Sequence, residues 1–197
     1  MFEYKHPIRK ESKSNIFGYV QALTRGEELD NYQLSEMLRY FAPKIPAKPK
    51  NIFDWCRQAV AKKDVRCYLN AVYVDSGIVH GCNGHIMLRG VSSQYDDGYY
   101  CPKTKEKMES QGRYPDVDRI FPDRKTPIDM PNNPPLRLHM GVERVTIGEY
   151  EYDNRYYKIL TNCPTDFYLS QSADGRLVLT SYPGDVSGII MPMKKGD

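Results

Sequence analysis

The sequence has no long apolar run. None of its 197 residues lies in a run approaching the roughly 20 apolar residues that a membrane-spanning helix needs. Residues 1–10 also lack the apolar stretch of a secretory signal. These absences predict a soluble cytoplasmic protein with no membrane partner. The length fits one ordinary domain, or one domain plus an extension, and does not fit two full-sized domains.

Patterns for metal binding and for disulfides are missing as well. The five cysteines are Cys56, Cys67, Cys82, Cys101 and Cys163. They form no C-x-x-C pair, no histidine stands beside them at ligand spacing, and their number is odd. A zinc site and a disulfide framework are therefore disfavoured. We expect free thiols in a reducing compartment and no bound metal.

Catalytic signatures are weak. Asp116 with Asp118, and Glu149 with Glu151, resemble carboxylate pairs, but alternation along a strand or turn explains them equally well. The sequence contains no phosphate-cradling glycine loop and no recognisable set of nucleophile, base and orienting residue. We therefore predict a protein that is not an enzyme and that uses no cofactor.

The excess of one charge sign is small, with a net charge of +3. Residues 1–50 carry 9 basic and 6 acidic side chains, residues 51–92 carry 5 and 3, and residues 93–197 carry 14 and 16. The basic excess thus lies in the first half. Such a balance suits weak, salt-sensitive contact with a polyanion and is far from that of a tight nucleic-acid binder.

Aromatic residues are plentiful, at 12% with 16 tyrosines, which favours a folded chain over a disordered one. Residues 1–48 are predicted to form an extension with one short amphipathic helix, which Asp30 and Asn31 can cap. The apolar side of that helix would consist of Leu34, Met37, Leu38 and Phe41. The proline- and lysine-rich residues 43–50 then mark a boundary near residue 48.

Residues 49–197 are predicted to form a single domain of the α+β class. A helix that begins at Asn51 is followed by three strands, and a short helix after Asp153 is followed by three more. The predicted strands are residues 68–74, 78–81, 85–91, 136–139, 144–150, 167–170, 176–181 and 188–193. The turn-rich residues 93–135 form an irregular insertion between the two halves. This order predicts a curved antiparallel sheet with both helices on one face.

Three strings resemble the bacterial DNA polymerase III β-subunit, the sliding clamp. Residues 65–72 read VRCYLNAV and residues 82–88 read CNGHIML, similar to the family's R-x-Y-L-N-G-V strand and T-D-G-H-R-L turn. Residues 112–122 read GRYPDVDRIFP, similar to G-R-F-P-D-Y-R-R-V-L-P. Residues 188–194 read GIIMPMK, similar to the terminal V-V-M-P-M-R. The strings also occur in the family's order.

The resemblance implies a DNA-clamp fold, in which the repeated βαβββ unit is an internal duplication and residues 49–197 make one clamp domain. Bacterial clamps carry three such domains per chain and close as a dimer. A chain with one domain implies a single-domain, phage-like version of viral origin, located in the host cytoplasm. The chain departs from the family at Ile86, which replaces an arginine, and at Asn83, which replaces an aspartate. The string of residues 112–122 also lies inside a domain, whereas the family has it between domains.

Helix faces that line the channel of a clamp meet DNA phosphates without reading bases, which requires long cationic side chains at loose spacing. The residues that the resemblance makes DNA-facing are Arg57, Lys62, Lys63, Arg155 and Lys158. The alternative is that they form the solvated faces of two amphipathic helices, because Asp54 and Asp64 dilute the charge.

The family also binds a short linear peptide of polymerases and clamp loaders in an apolar pocket. The residues that the resemblance assigns to this pocket are Gly84, His85, Met87, Pro115, Arg119, Ile120, Met191, Pro192 and Met193. Methionines would give an adaptable apolar wall and the arginine could meet a peptide polar group. The alternative is a terminal core strand at residues 190–193 and a structural histidine in the turn.

The resemblance therefore implies a processivity protein of DNA replication that self-associates, contacts double-stranded DNA weakly and without sequence preference, and tethers a polymerase. The alternative is a clamp-like decoy or adaptor that binds replication proteins and never encircles DNA. In both cases the chain works through protein–protein interaction, and only the first requires a homo-oligomer.

Overall fold

The computed structural model describes residues 13–30, 32–34, 37, 48–129, 134–139, 141–182 and 184–193, with residues 13–16 described for the backbone alone. The chain divides into two compact units, Met1–Pro46 and Ala47–Asp197. No helix in these described ranges is both long enough and apolar enough to cross a membrane.

The first unit contains a helix that the sequence patterns did not predict, α1 (Lys13–Thr24). Gly26, at a φ of 76°, follows it in the left-handed conformation typical of helix C-termini. Further along, Asp30 Oδ1 accepts a hydrogen bond from the Gln33 amide at 2.8 Å, and Gln33 Oε1 accepts one from the Asp30 amide at 3.0 Å. This reciprocal pair is a capping box. Residues 32–34 and 37 are helical, whereas Asn31, Leu38 and Phe41 lie outside the described residues.

The second unit contains α2 (Ile52–Cys56), α3 (Asn154–Thr161) and two antiparallel sheets. In chain order the strands are β1 (Val72–Asp75), β2 (Ile78–Cys82), β3 (Ile86–Val91), β4 (Gly98–Tyr100), β5 (Lys107–Met108), β6 (Thr126–Ile128), β7 (Leu136–His139), β8 (Val142–Ile147), β9 (Tyr150–Asp153), β10 (Phe167–Gln171), β11 (Leu177–Ser181) and β12 (Val186–Ile190). The predicted mixed fold with a large antiparallel sheet is confirmed.

The large sheet has the strand order β5-β4-β1-β2-β3-β12-β11-β10-β6, and the small sheet has the order β7-β8-β9. The central pair, β3 and β12, sets Leu88 opposite Gly188. On one side of this pair the strands run outward as β2, β1, β4 and β5, and on the other side as β11, β10 and β6. The strands that follow α2 and those that follow α3 therefore occupy mirrored positions in one sheet.

Both helices pack against the same face of the large sheet. Asn51 Oδ1 caps α2 by accepting a hydrogen bond from the Asp54 amide at 2.8 Å, and Asp153 Oδ1 caps α3 through the Arg155 amide at 2.8 Å. Trp55 is fully buried, and its Nε1 donates to the Ile159 carbonyl at 2.9 Å, which joins the two helices. One apolar cluster holds both helices and the inward-facing strand residues, among them Phe53, Ile86, Leu88, Leu160 and Leu179.

The opposite face of the sheet carries a second apolar cluster. Because side chains alternate along a strand, Met87 points away from Ile86 and Leu88 and joins this second cluster. Its buried members are Leu69, Ala71, Cys82, Met87, Tyr99, Tyr114, Val178 and Ile189. Val117, Ile120 and Phe121 pack against it, so residues from the predicted insertion cover part of the sheet.

Three sequence predictions about local structure were wrong. The strand predicted at residues 68–74 begins only at Val72, and Cys67–Asn70 form a 3₁₀ helix before it. The apolar side of the helix from Asn51 was predicted to extend to Val60, but the α-helix ends at Cys56 and a 3₁₀ turn follows to Ala59. The segment 93–135, predicted as irregular, contributes β4, β5 and β6 to the large sheet.

Candidate nucleic-acid and peptide interfaces

Arg57 lies on the 3₁₀ turn after α2 and is held by several contacts. Its Nε lies 3.1 Å from Asp54 Oδ1, and its Nη1 donates to the Pro102 carbonyl at 3.2 Å. The Asp54 carboxylate is nearly buried and also lies 2.9 Å from Lys105 Nζ. A phosphate at Arg57 would therefore compete with a carboxylate that already has two cations.

The two cations of α3 are also paired with carboxylates. Arg155 Nε donates to Asp153 Oδ1 at 3.0 Å, and Lys158 Nζ lies 3.2 Å from Glu143 Oε2. Burial acts to raise the pKa of Asp153, but the hydrogen bonds from Arg155 hold that pKa below its ordinary value. Hydrogen bonds from Asn154 and Lys158 lower the pKa of Glu143 in the same way. Both carboxylates therefore stay ionised at neutral pH.

Lys62 and Lys63 differ from the other three. They follow the 3₁₀ turn and do not lie on a helix face, which corrects their predicted position. Lys63 has a φ of 61°, typical of a turn. Both side chains are exposed, and neither forms an ion pair with any residue that the structure describes.

Two of the three matching strings lie side by side. The β3–β12 register sets Ile190 opposite Ile86, and beyond it the Met191 amide donates to the His85 carbonyl at 3.0 Å. The Met193 amide donates to the Glu151 carbonyl at 2.7 Å, which ties the terminal segment to β9. The turn at residues 83–86 and the segment 191–193 therefore form one corner of the second unit.

The turn at this corner is well defined. Asn83 Oδ1 accepts hydrogen bonds from the amides of His85 at 2.9 Å and Ile86 at 3.1 Å. Gly84 has a φ of 91°, a conformation that favours glycine. The His85 ring stacks on the Tyr156 ring with a centroid distance of 5.9 Å. These contacts fix the direction of the His85 side chain, which is exposed.

The remaining residues assigned to the peptide pocket are dispersed. Met87 is 1% exposed and belongs to the second apolar cluster, against which Ile120 packs. Arg119 is highly exposed and pairs with Asp116 at 3.0 Å. Pro115 lines a separate cavity. A ligand at the corner could therefore reach Met191, which is 37% exposed, without reaching Met87.

The cavity lined by Pro115 was not predicted. It measures about 770 Å³, and its lining includes Tyr73, His80, Tyr99 and Tyr114. These residues come from three strands and from the segment 112–118, so no local motif could have indicated them. The only sequence signal was the local abundance of tyrosine.

The chain was compared with known proteins. No family model matches it, and no curated protein matches it. Two solved structures that resemble it are Caulobacter crescentus pol III beta, at 12% identity and a TM-score of 0.48, and the DNA polymerase III subunit beta from Pseudomonas aeruginosa, at 15% identity and a TM-score of 0.46. Each match covers 73% of this chain and 63% of the other chain.

Proposed function

We propose that this chain is a sliding-clamp-like accessory protein of DNA replication, which self-associates around or beside duplex DNA and tethers a polymerase. The observation that carries the proposal is the order and position of the matching strings. Residues 82–88 and 188–194 are far apart in the sequence, yet they meet through the hydrogen bond between Met191 and His85. The proposed role needs no catalysis and no cofactor.

The mirrored strand order supports an internally duplicated domain. The helix α2 with β1, β2 and β3 corresponds in order to α3 with β10, β11 and β12. Both helices bury one side against one face of the shared sheet. In this proposal residues 49–197 form a single clamp-like domain and residues 1–48 form an extension.

Self-association is proposed because one domain of this kind cannot surround a duplex. Among the described strands, β5 has two residues, one of which is a lysine, and β6 contains Pro127. Short length, lysine and proline protect strand edges from pairing. The edge strand β7 has none of these features, and its Leu136 and Leu138 are 54% and 77% exposed. We therefore assign the contact between subunits to β7, which would pair along its free edge with a second copy of the chain.

The variant Leu138→Lys tests this contact. A lysine on an exposed edge strand opposes strand pairing between chains while leaving the fold intact. We expect the molar mass in solution, measured by light scattering after size exclusion, to fall to that of the monomer. Val65→Lys is the matched control, because Val65 is 94% exposed outside the strands, and it should leave the mass unchanged. An unchanged mass for Leu138→Lys would remove β7 from the interface.

DNA binding is proposed to depend mainly on Lys62 and Lys63, since the other three predicted cations already have carboxylate partners. The slope of log K against log salt is negative, and replacing both lysines with alanine should make it less steep by about 0.9 for each lost phosphate contact. The measurement is fluorescence anisotropy of a labelled duplex over a range of salt concentrations.

Two further double variants serve as controls for the DNA experiment. Arg124→Ala with Lys125→Ala removes two adjacent exposed cations elsewhere on the surface and should leave the slope unchanged. Arg155→Ala with Lys158→Ala should reduce the steepness of the slope less than the double replacement of Lys62 and Lys63 does. The reason is that Arg155 and Lys158 are already paired with carboxylates. If every variant gave the same slope as the unmodified protein, the proposed DNA contact of Lys62 and Lys63 would be contradicted.

The peptide partner is proposed to bind at the corner formed by residues 83–86 and 191–193. Gly84 and His85 are exposed there, and Met191 is partly exposed. Methionine side chains adapt to varied apolar partners.

The second candidate function is an adaptor that binds replication proteins without encircling DNA. The observation that favours it is the pairing of Arg57, Arg155 and Lys158 with carboxylates, which lowers the positive charge available to phosphates. An adaptor need not self-associate and would show no salt-dependent affinity for duplex DNA. The clamp-like role requires both self-association and salt-dependent binding to DNA.

A further inference from the structure

We propose that the cavity beneath residues 112–118 binds an alkylammonium group, supplied either by a lysine side chain of another protein or by a free polyamine. This site is separate from the corner assigned to the peptide and does not depend on a role in replication. At about 770 Å³ the cavity falls within the range of roughly 300–1,000 Å³ typical of ligand sites.

The floor of the cavity is a row of side chains that crosses the large sheet. The strand registers pair His80 with Tyr73 and Tyr73 with Tyr99, so the three lie next to one another on one face. The Tyr73 ring lies 4.6 Å from that of Tyr114 and 4.9 Å from that of Tyr99, and the Tyr99 and Tyr114 rings lie 6.4 Å apart. The three rings thus form one aromatic cluster beside His80.

Two buried polar atoms of the lining lack hydrogen-bond partners among the described residues. They are Nδ1 of His80, a residue 4% exposed, and the hydroxyl of Tyr114, a residue 8% exposed. A buried polar group without a partner is destabilising, and a hydrogen bond to a ligand would offset that cost. Burial, followed by the charge of Arg89, lowers the pKa of His80 to about 4. The ring is therefore neutral at neutral pH, and its Nδ1 can accept a hydrogen bond.

Two carboxylates beside this floor have no cationic partner. The register that sets Val74 opposite Gly98 brings Asp75 next to Asp97 across the β1–β4 ladder. Both aspartates are exposed, and by strand alternation they lie on the same face as Tyr73 and Tyr99, two residues along each strand. Burial, and after it the charges of Asp75 and Asp97, raises the pKa of Tyr73. Neither carboxylate forms an ion pair within the described ranges, and like charges opposite each other on neighbouring strands are destabilising. A bound cation would remove this repulsion.

The other charged lining residues restrict the ligand further. Asp116 pairs with Arg119, and Asp118 pairs with Arg89, so these carboxylates are already neutralised. Lys107 and Arg113 line the cavity as exposed residues, and the Lys107 stem passes over Gly98. An ammonium group has three donors and no acceptor. It thus complements two carboxylates, a neutral imidazole nitrogen and a hydroxyl oxygen, whereas an anion would face both unpaired carboxylates.

The test is calorimetric titration of the full chain with spermidine and with Nα-acetyl-lysine methylamide at constant ionic strength. The net charge of +3 disfavours non-specific attraction of cations. We expect both probes to bind, and Asp75→Asn with Asp97→Asn to weaken binding at least tenfold. Asp123→Asn, which changes an exposed carboxylate outside the cavity, should leave binding unchanged. Tighter binding of the lysine amide would identify a protein partner as the source, and tighter binding of spermidine a free polyamine.

Two measurements separate ligand binding from folding. The double asparagine variant should unfold at a higher temperature than the unmodified protein without ligand, because it removes a repulsion. Tyr114→Phe should likewise raise the unfolding temperature, since it deletes a buried hydroxyl without a partner, and yet weaken amine binding. The proposal is overturned if neither amine binds, if the asparagine variant binds them as tightly, or if inorganic phosphate binds where the amines do not.

Discussion

Gly81→Ala is expected to destabilise the second unit more than any other single methyl group added to a described glycine of that unit. A Cβ atom at this position would lie 1.9 Å from the Cys56 carbonyl oxygen and 2.6 Å from its carbonyl carbon. Both atoms belong to the backbone, so no side-chain rotation relieves the clash and α2 must move away from β2. We expect a loss of about 4 kcal/mol or more in the free energy of unfolding, above the ordinary range for point mutations. Urea unfolding followed by Trp55 fluorescence measures it.

Gly90→Ala is the matched control for this prediction. It also lies on the large sheet under α2, but a Cβ there would meet side-chain atoms, Ile52 Cγ2 at 2.9 Å and Val186 Cγ2 at 3.2 Å. Side chains can adjust at about 1–3 kcal/mol, the usual range for overpacking. Equal losses for the two variants would show that the approach of α2 to β2 is not what makes Gly81 necessary.

Trp55→Ala is expected to cost about 3–5 kcal/mol, the range for large aromatic residues replaced in a core. Trp55 is completely buried and is the single tryptophan of the chain. Its loss removes both the apolar contacts of the helix-side cluster and the hydrogen bond to the Ile159 carbonyl. Because the variant has no tryptophan fluorescence, far-UV circular dichroism during urea unfolding is the appropriate measurement.

Trp55→Phe separates the two contributions. It keeps an aromatic ring in the cluster but cannot donate to Ile159, so its cost should be well below that of alanine. If the phenylalanine variant were as unstable as the alanine variant, the hydrogen bond from Trp55 to the Ile159 carbonyl would be the dominant contribution. An alanine variant with unchanged stability would contradict the position of Trp55 at the centre of the core.

Local chemistry predicted several elements from the sequence. The short helix predicted after Asp153 is α3, and Asp153 caps it, because side-chain hydrogen bonds of this kind act within a few residues. Alternating apolar residues likewise predicted β2, β3, β10 and β11 within a residue or two of their observed bounds. These features depend on neighbours in the sequence.

The segment before β1 shows where such patterns fail. Residues 65–70 contain valine, tyrosine and leucine, which favour a strand, yet residues 67–70 form a 3₁₀ helix. Asn70 Oδ1 accepts a hydrogen bond from the Asp64 amide at 2.8 Å, and its Nδ2 donates to the Asp64 carbonyl at 2.8 Å. These two hydrogen bonds close a loop between Asp64 and Asn70. The strand propensity of the residues carries no information about such a contact.

The positions of the candidate site residues depend on tertiary structure more strongly than the helices and strands do, so they are harder to predict from the sequence. The contact between Met191 and His85 follows from the pairing of β3 with β12 and agrees with the juxtaposition that the family resemblance implied. The burial of Met87 beneath the segment with Ile120 could not be predicted, since that segment lacks a sustained period. The cavity of Tyr73, His80 and Tyr114 depends on two strand registers and on the packing of Tyr114 against Tyr73.

The most direct test of the clamp-like account is the molar mass of the unmodified protein in solution, measured by light scattering at tens of micromolar. In this account a single clamp-like domain can encircle DNA only as an assembly of closed symmetry. The account predicts a discrete oligomer whose mass is a whole multiple of 22.8 kDa. A strictly monomeric mass at that concentration would contradict the ring and leave the adaptor as the remaining function.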